Sequence, residues 1–103
     1  MLFIRPKNLN ADSIILDVRS PEECRIEELK LPHFKKELSE LNPAEFMLEN
    51  NLNANQTVNI LCASGARASQ AAEKFEKAGY TNVAVIIGGM VEAEYEGLEI
   101  IRH

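Results

Sequence analysis

Three short apolar runs in the chain lack the polar alternation of a half-exposed strand. They are residues 14–18, 58–62 and 83–87. Runs rich in aliphatic and β-branched residues are typical of parallel strands that helices cover on both faces. Two weaker candidates, residues 2–4 and 29–31, are stopped early by Pro6 and Pro32, and we expect them to be edge strands.

Helical patterns with recognisable starts lie between these runs. Residues 20–23, Ser-Pro-Glu-Glu, have the arrangement of a capping box with proline at the first helical position, and residues 42–45 repeat it. Residues 67–78 place alanines and a phenylalanine on one face and stop at Gly79, which predicts an amphipathic helix. The apolar spacing within residues 34–41 predicts a shorter helix.

Strands that alternate with helices across short turns indicate an α/β domain with a mainly parallel sheet. The chain has 103 residues, which is the size of one domain, and we assign residues 1–103 to it. Hydrophobic residues make up 46% of the chain and charged residues 26%. This composition is typical of a folded globular protein.

The charge of the chain excludes two classes of partner. The 11 basic and 16 acidic residues give a net charge of −5, and no basic stripe interleaved with aromatics is present. Nucleic acids and anionic membranes both select for positive surfaces. We therefore expect a protein that binds neither nucleic acid nor membrane.

The sequence predicts no metal site and no cofactor, because no pair of His, Cys or carboxylate residues has the spacing of metal ligands. The residues before Pro6 are too few for the apolar region of a signal peptide, and no apolar run approaches the ~20 residues of a membrane span. We therefore expect a cytoplasmic protein.

Cys62 ends one of the apolar runs and precedes a loop of small residues that opens into the predicted helix. It therefore lies at the carboxyl end of a strand, where open α/β sheets bind ligands. The amides of small residues can surround an anion, and a helix N-terminus adds partial positive charge. Such surroundings favour the nucleophilic thiolate form of a cysteine. Cys62 is thus the candidate nucleophile. The alternative role for Cys62 is that of a small packing residue at a strand end.

The spacing around Cys62, Cys-x-x-Gly-x-Arg followed by Ala-Ser-x-Ala-Ala, is one of four motifs in a fixed order. The others are Ile-Leu-Asp-Val-Arg-Ser-Pro-Glu-Glu at 15–23, Ala-Gly-Tyr-Thr-Asn-Val at 78–83 and Gly-Gly-Met at 88–90. With these motifs, residues 14 to about 100 resemble the rhodanese family of thiosulfate and persulfide sulfurtransferases. The resemblance implies one rhodanese-like domain with a five-stranded, mainly parallel sheet flanked by helices.

The resemblance also implies the chemistry of the site. Cys62 would take a sulfane sulfur from thiosulfate or a persulfide donor, hold it as a persulfide, and pass it to a thiol acceptor or to cyanide. The acceptor would be a small thiol or a protein in a sulfur relay. The charged sulfur would lie among the amides of the substrate-binding loop, which consists of Ala63, Ser64, Gly65, Ala66 and Arg67.

Asp17, Arg19 and Glu23 are expected to support this loop. Asp17 interrupts an apolar strand and needs compensation, so we expect Asp17 and Arg19 to form ion pairs or hydrogen bonds that shape the neighbouring loops. Arg67 lies in the first turn of the predicted helix, where a cation opposes the helix dipole. It therefore needs a partner, which is either an acidic residue of the fold, Asp17 or Glu23, or the anionic donor. We favour the acidic residue. Cys24 is expected to be a packing thiol, without a disulfide to Cys62.

The chain departs from the family pattern at two places, and these departures leave alternatives open. The usual Gly-His-Ile-Pro-Gly-Ala segment is replaced by residues 27–33, and Ala93 stands where a tryptophan is expected. One alternative is a non-catalytic binding module, and another is a sulfur carrier in a protein relay. A phosphatase or arsenate reductase is disfavoured. Its loop requires arginine as the sixth residue after the cysteine, a position that Ala68 occupies here.

Overall fold

The computed structural model describes residues 1–103. Five parallel strands form one sheet in the order β1-β6-β5-β2-β4, and a separate antiparallel pair joins β3 to β7. The strands are β1 Leu2–Ile4, β2 Ile14–Asp17, β3 Glu27–Leu29, β4 Phe34–Lys35, β5 Val58–Leu61, β6 Val83–Ile86 and β7 Ile100–Arg102. The helices are α1 Pro21–Ile26, α2 Pro43–Glu49, α3 Ala66–Lys77 and α4 Gly89–Tyr95. The predicted α/β fold with a five-stranded parallel sheet is confirmed.

The central strand β5 is buried along its whole length and pairs with β2 on one side and β6 on the other. Apolar clusters cover both faces of the sheet, as the absence of alternation in these strands predicted. The larger cluster is built around Phe75 of α3, which contacts Phe46 of α2 edge to face with ring centroids 6.1 Å apart. This packing fixes α3, and with it the loop that enters α3.

The helix starts follow their capping signals. Ser20 forms the complete capping box: its hydroxyl accepts from the Glu23 N–H at 3.2 Å, and the Glu23 carboxylate accepts from the Ser20 N–H at 3.0 Å. At α2 only one half of the box forms, with the Asn42 side chain accepting from the Glu45 N–H at 3.1 Å. Gly79 ends α3 with a φ of +93°, a left-handed conformation that glycine adopts without a Cβ penalty.

The helix predicted within residues 34–41 is wrong. Phe34–Lys35 instead forms β4, the edge strand beside β2, and Leu38–Glu40 forms a short 3-10 turn. The Lys36 N–H donates to the Asp17 carbonyl at 3.0 Å, which continues the pairing beyond β4. Backbone bonding to the open edge of the sheet therefore prevails over the helical spacing of the side chains.

The edge strand predicted at residues 29–31 is also displaced. Leu29 belongs to β3, which lies outside the parallel sheet and pairs with β7. The sequence patterns indicated no strand at β7, so its partner could not be anticipated. Leu29 is buried against Ile15 and Ile86 in the smaller apolar cluster. The β3–β7 pair therefore covers one face of the sheet instead of extending its edge.

None of the helices has both the length and the apolar character that a membrane crossing requires.

Candidate active site

Cys62 is the first residue after β5, and the sheet pairing places it at the carboxyl edge beside the ends of β2 and β6. The residue is 1% exposed. The Gly65 N–H donates to the Cys62 Sγ at 2.9 Å. A donor at this distance stabilises negative charge on the sulfur, because charge-assisted hydrogen bonds are stronger than neutral ones.

The loop between Cys62 and α3 turns through Gly65, whose φ of +115° lies in the left-handed region. This conformation lets the chain fold back over the sulfur, and α3 begins at the next residue. The N–H groups of Ala66, Arg67 and Ala68 make no hydrogen bond within the protein. The loop of residues 63–67 therefore offers free donors and the positive end of a helix beside Cys62.

The turn at residues 88–90 holds this loop from the other side. The Met90 N–H donates to the Cys62 carbonyl at 2.9 Å, and the Val91 N–H donates to the Ala63 carbonyl at 3.3 Å. Gly89 has a φ of +58°, and a Cβ at this position would lie 2.2 Å from the Cys62 carbonyl oxygen. The turn can approach the loop this closely only because Gly89 carries no side chain.

The sequence pattern did not predict that Gly89 positions the Cys62 loop, because the double glycine was recognised only as a family motif. Two glycines directly after a buried strand are the signal that could have indicated a close backbone approach. The contact partner, the backbone of Cys62 and Ala63, becomes apparent only from the fold.

Arg67 pairs with Glu23, one of the two acidic residues named as its candidates. Its two terminal nitrogens donate to the two carboxylate oxygens at 2.7 and 2.8 Å, a bidentate geometry. Hydrogen bonding to Arg67 holds the pKa of Glu23 at about 2, with further help from Ser20. The pair joins α1 to the first turn of α3 and so spans the outside of the loop.

Asp17 and Arg19 form a buried ion pair at the carboxyl end of β2. The Arg19 Nη2 donates to Asp17 Oδ2 at 2.8 Å and to the Glu27 carbonyl at 2.9 Å. The Arg19 N–H also donates to Asp17 Oδ1 at 3.0 Å. Hydrogen bonds therefore satisfy both buried charges, which is the condition for tolerating a charged pair in a protein interior. The pair fixes the chain between β2 and α1.

Cys24 is a free thiol packed against the Asp17 carboxylate, with Sγ 3.7 Å from Oδ2. Burial, followed by the adjacent negative charge of Asp17, raises the pKa of Cys24 to about 11. Both effects disfavour the thiolate. Cys24 is thus held in the unreactive form.

We expect iodoacetamide to modify folded Cys24 very slowly at about pH 8, where a thiol of pKa about 11 is roughly 0.1% thiolate. The measurement uses Cys62→Ser, which leaves Cys24 as the only thiol, and follows alkylation from neutral to strongly alkaline pH. The rate midpoint should lie well above the ~8.5 of a free cysteine, and denaturation in urea should return it to that value. A midpoint near ~8.5 in the folded protein would refute this assignment.

The segment that departs from the family pattern is held by a cluster of charges. Glu28 accepts from Lys35 Nζ at 2.8 Å and lies within hydrogen-bond distance of His33 Nε2, at 3.2 Å, and His103 Nε2, at 3.1 Å. Hydrogen bonding to Lys35, with smaller contributions from His103 and His33, holds the pKa of Glu28 at about 2. Ala93, at the position of the expected tryptophan, is fully buried in the smaller apolar cluster. Both departures thus have defined packing.

We expect Arg67→Met to lower the free energy of unfolding by about 1 kcal/mol, a modest value because both side chains are partly exposed. The melting temperature should fall by about 4 to 8 °C. Glu23 has a lowered pKa in the folded state, so the stabilisation is present above the unfolded carboxyl pKa of ~4.3 and is lost as pH falls towards about 2.

A double-mutant cycle with Glu23→Gln isolates this pair. If the pair accounts for the stability loss, Arg67→Met should cost little when Glu23 is already neutral. Strictly additive losses, or an unchanged melting temperature in Arg67→Met, would contradict a structural role for the pair.

The site thus combines a cysteine at a strand end, a loop of unbonded amides and a helix N-terminus, an arrangement suited to an anionic group. A family model of the Rhodanese-like domain matches residues 6–95. The chain therefore belongs to the rhodanese-like domain family. A search of curated proteins found no match.

Several solved structures share the fold along nearly the whole chain. SSP1007 from Staphylococcus saprophyticus is 26% identical, with 96% of this chain and 99% of the other covered and a TM-score of 0.74. A rhodanese-related protein from Thermoplasma volcanium is 24% identical, with 98% of each chain covered and a TM-score of 0.78. A rhodanese-like domain protein from Staphylococcus aureus is 26% identical over 96% of this chain and 97% of the other, with a TM-score of 0.68.

Proposed function

We propose that this protein is a sulfurtransferase that carries a sulfane sulfur as a persulfide on Cys62. The observation that carries this proposal is the Gly65 N–H that donates to the Cys62 Sγ at 2.9 Å inside a loop of otherwise free amides. Membership of the rhodanese-like domain family, which includes sulfurtransferases, supports it. The residues of the loop, Ala63 to Arg67, take the substrate-binding role.

The first step is attack of the Cys62 thiolate on the outer sulfur of the donor. With thiosulfate, the new S–S bond forms on Cys62 while the old S–S bond breaks, and its electron pair leaves on sulfite. With an organic persulfide, the same displacement releases the donor thiolate. In the second step a cyanide ion or an acceptor thiolate attacks the outer sulfur of the Cys62 persulfide, and the electron pair of that S–S bond returns to Cys62.

The loop can stabilise the negative charge at both steps of this transfer. Negative charge moves from the Cys62 Sγ to a sulfur one bond further out, and free N–H groups at the start of α3 lie along the loop to receive it. These donors are held in place by α3, by the Gly89 turn and by the pair of Arg67 with Glu23. Preorganised donors need no rearrangement when the charge moves, which is the source of their catalytic effect.

Phosphate-ester chemistry fits the loop less well. A cysteine phosphatase places arginine at the sixth position after its cysteine, and this position is Ala68, a fully buried residue in the first turn of α3. Arg67, one position earlier, is engaged by Glu23. No guanidinium is therefore free to surround a tetrahedral oxyanion.

A non-catalytic binding module is the second candidate, and the 1% exposure of Cys62 favours it. One assay separates the two functions. The protein is incubated with a sulfur donor and cyanide, and thiocyanate is measured over time. A sulfurtransferase gives many turnovers per protein, whereas a binding module gives no more thiocyanate than the donor alone.

A further inference from the structure

A groove of about 260 Å³ lies directly beside the Cys62 loop. Ala63 of the loop and Met90 of the supporting turn contribute to its wall, together with Ile26 and Val91. Ile26 is 67% exposed and Val91 is 69% exposed. A sulfur donor that reaches the loop through this groove therefore passes an apolar rim.

Every cation near this groove is already engaged by a carboxylate. Arg19 is buried on Asp17, and Arg67 is bound to both oxygens of Glu23. Arg102 contacts Glu27 and Glu94, which both line the groove. Because the acids and bases compensate one another, no free positive charge remains to bind the sulfonate of thiosulfate, and the net charge of −5 repels it further.

The depth of the nucleophile imposes a second restriction. Cys62 is 1% exposed, so the donor must present its sulfane sulfur on a narrow stem. In an organic persulfide the sulfur pair is attached to a slender carbon chain. In thiosulfate the outer sulfur is attached directly to a sulfonate group with three oxygens.

We infer that the donor is a persulfide of an organic thiol whose neighbouring groups are neutral or cationic, and that thiosulfate is a poor substrate. This inference rests on the proposed function of Cys62. In the transfer, the Cys62 thiolate attacks the outer sulfur of R–S–SH, the S–S bond of the donor breaks, and R–S⁻ leaves with the electron pair. The outer sulfur and its proton remain on Cys62, so no oxidant or reductant is consumed.

The test compares thiosulfate with three persulfides on the same two-carbon stem, which end in an ammonium, a hydroxyl or a carboxylate group. The measured quantity is the rate at which one sulfur atom adds to the intact protein, divided by the rate at which the same donor reacts with a small free thiol. The expected order is ammonium, hydroxyl, carboxylate and then thiosulfate. A further donor is a persulfide on the peptide Ile-Cys-Lys, which has the same net charge as the ammonium donor. If the peptide persulfide reacts faster than the ammonium donor, the source of the sulfur is a polypeptide.

A substitution that adds a charge to the groove tests whether the groove determines this order of donor rates. Val91→Lys adds a free cation at the rim, and we expect it to raise the relative rates with thiosulfate and the carboxylate donor by about two- to fivefold. Each of these rates is divided by the rate of the same variant with the hydroxyl donor, so that a general effect of the substitution on the loop cancels. Leu48→Lys is the matched control, because it adds the same charge at an 82% exposed position of α2 that does not line the groove.

The outcomes distinguish this inference from the function on which it rests. The expected order, with a selective effect of Val91→Lys, supports the inference. If thiosulfate reacts as fast as the hydroxyl persulfide, the inference is overturned while the sulfurtransferase function stands. Equal effects of Val91→Lys and Leu48→Lys would also overturn it, since the total charge and not the groove would then select the donor. If no donor adds sulfur to Cys62, both proposals fail together.

Discussion

Cys62→Ser is expected to abolish thiocyanate production, to below about 1% of the wild-type rate, while leaving the fold intact. An alcohol of nearly the same size cannot ionise near neutral pH and cannot form a persulfide. The Gly65 N–H can still donate to the new hydroxyl at the place of the Cys62 Sγ, so the loop retains its support. Thiocyanate formation and the melting temperature are the two measurements.

The matched control is Cys24→Ser, which removes the other thiol of the chain. Cys24 has a pKa of about 11 and lies against Asp17, so its loss should leave the transfer rate within about twofold. A Cys62→Ser variant that retained the wild-type rate would exclude Cys62 as the sulfur carrier. A loss of activity in Cys24→Ser of the same size would mean that both thiols are required.

Gly89→Ala is expected to produce the second-largest effect, through the backbone instead of the chemistry. The new Cβ would lie 2.2 Å from the Cys62 carbonyl oxygen and 2.7 Å from the Ala63 carbonyl carbon. Both neighbours are backbone atoms, so the substituted turn and the loop must move apart. We expect a loss of about 2 to 5 kcal/mol of stability and at least a tenfold loss of transfer rate.

Gly79→Ala provides the matched control for Gly89→Ala. Gly79 also has a left-handed φ, +93°, but a Cβ there would meet no atom within 4 Å. It should therefore cost only the conformational strain, about 1 to 2 kcal/mol, and leave the transfer rate of the folded protein unchanged. Equal effects of the two substitutions on activity would show that the contact between Gly89 and the loop does not position Cys62.

The parallel sheet and the place of the site within it could be predicted from the sequence for a physical reason. β2, β5 and β6 are buried on both faces, so their side chains form continuous apolar runs. The capping box at Ser20 and the helix stop at Gly79 are local signals, and local hydrogen bonds realise both. The strand-loop-helix context of Cys62 follows directly from these elements.

The elements that were missed depend on partners distant in the chain. Phe34 has helical spacing to Leu38 and Leu41, yet Phe34 and Lys35 form β4 because β2 offers an unpaired edge. β7 is recognisable as a strand only through its pairing with β3, which lies about 70 residues earlier in the sequence. Such choices follow from the competition among sheet edges, which a local pattern does not contain.

At the site, too, the sequence predicted the candidate residues but not which of them pair in the fold. The sequence narrowed the partner of Arg67 to Asp17, Glu23 or the anionic donor, and only the fold brings Glu23 within 2.7 Å. Asp17 is instead occupied by Arg19. The roles of these residues and of the loop in sulfur transfer stay predictions until the chemistry is measured.

The most direct test of the central claim is the location of the transferred sulfur by mass spectrometry. The protein is incubated with the hydroxyl persulfide, freed of excess donor, digested without reductant and compared with Cys62→Ser treated in the same way. The proposed function predicts a gain of one sulfur atom on the peptide that contains Cys62, reversed by cyanide with release of one thiocyanate. A gain confined to the Cys24 peptide, or none at all in a protein shown to be folded, would contradict it.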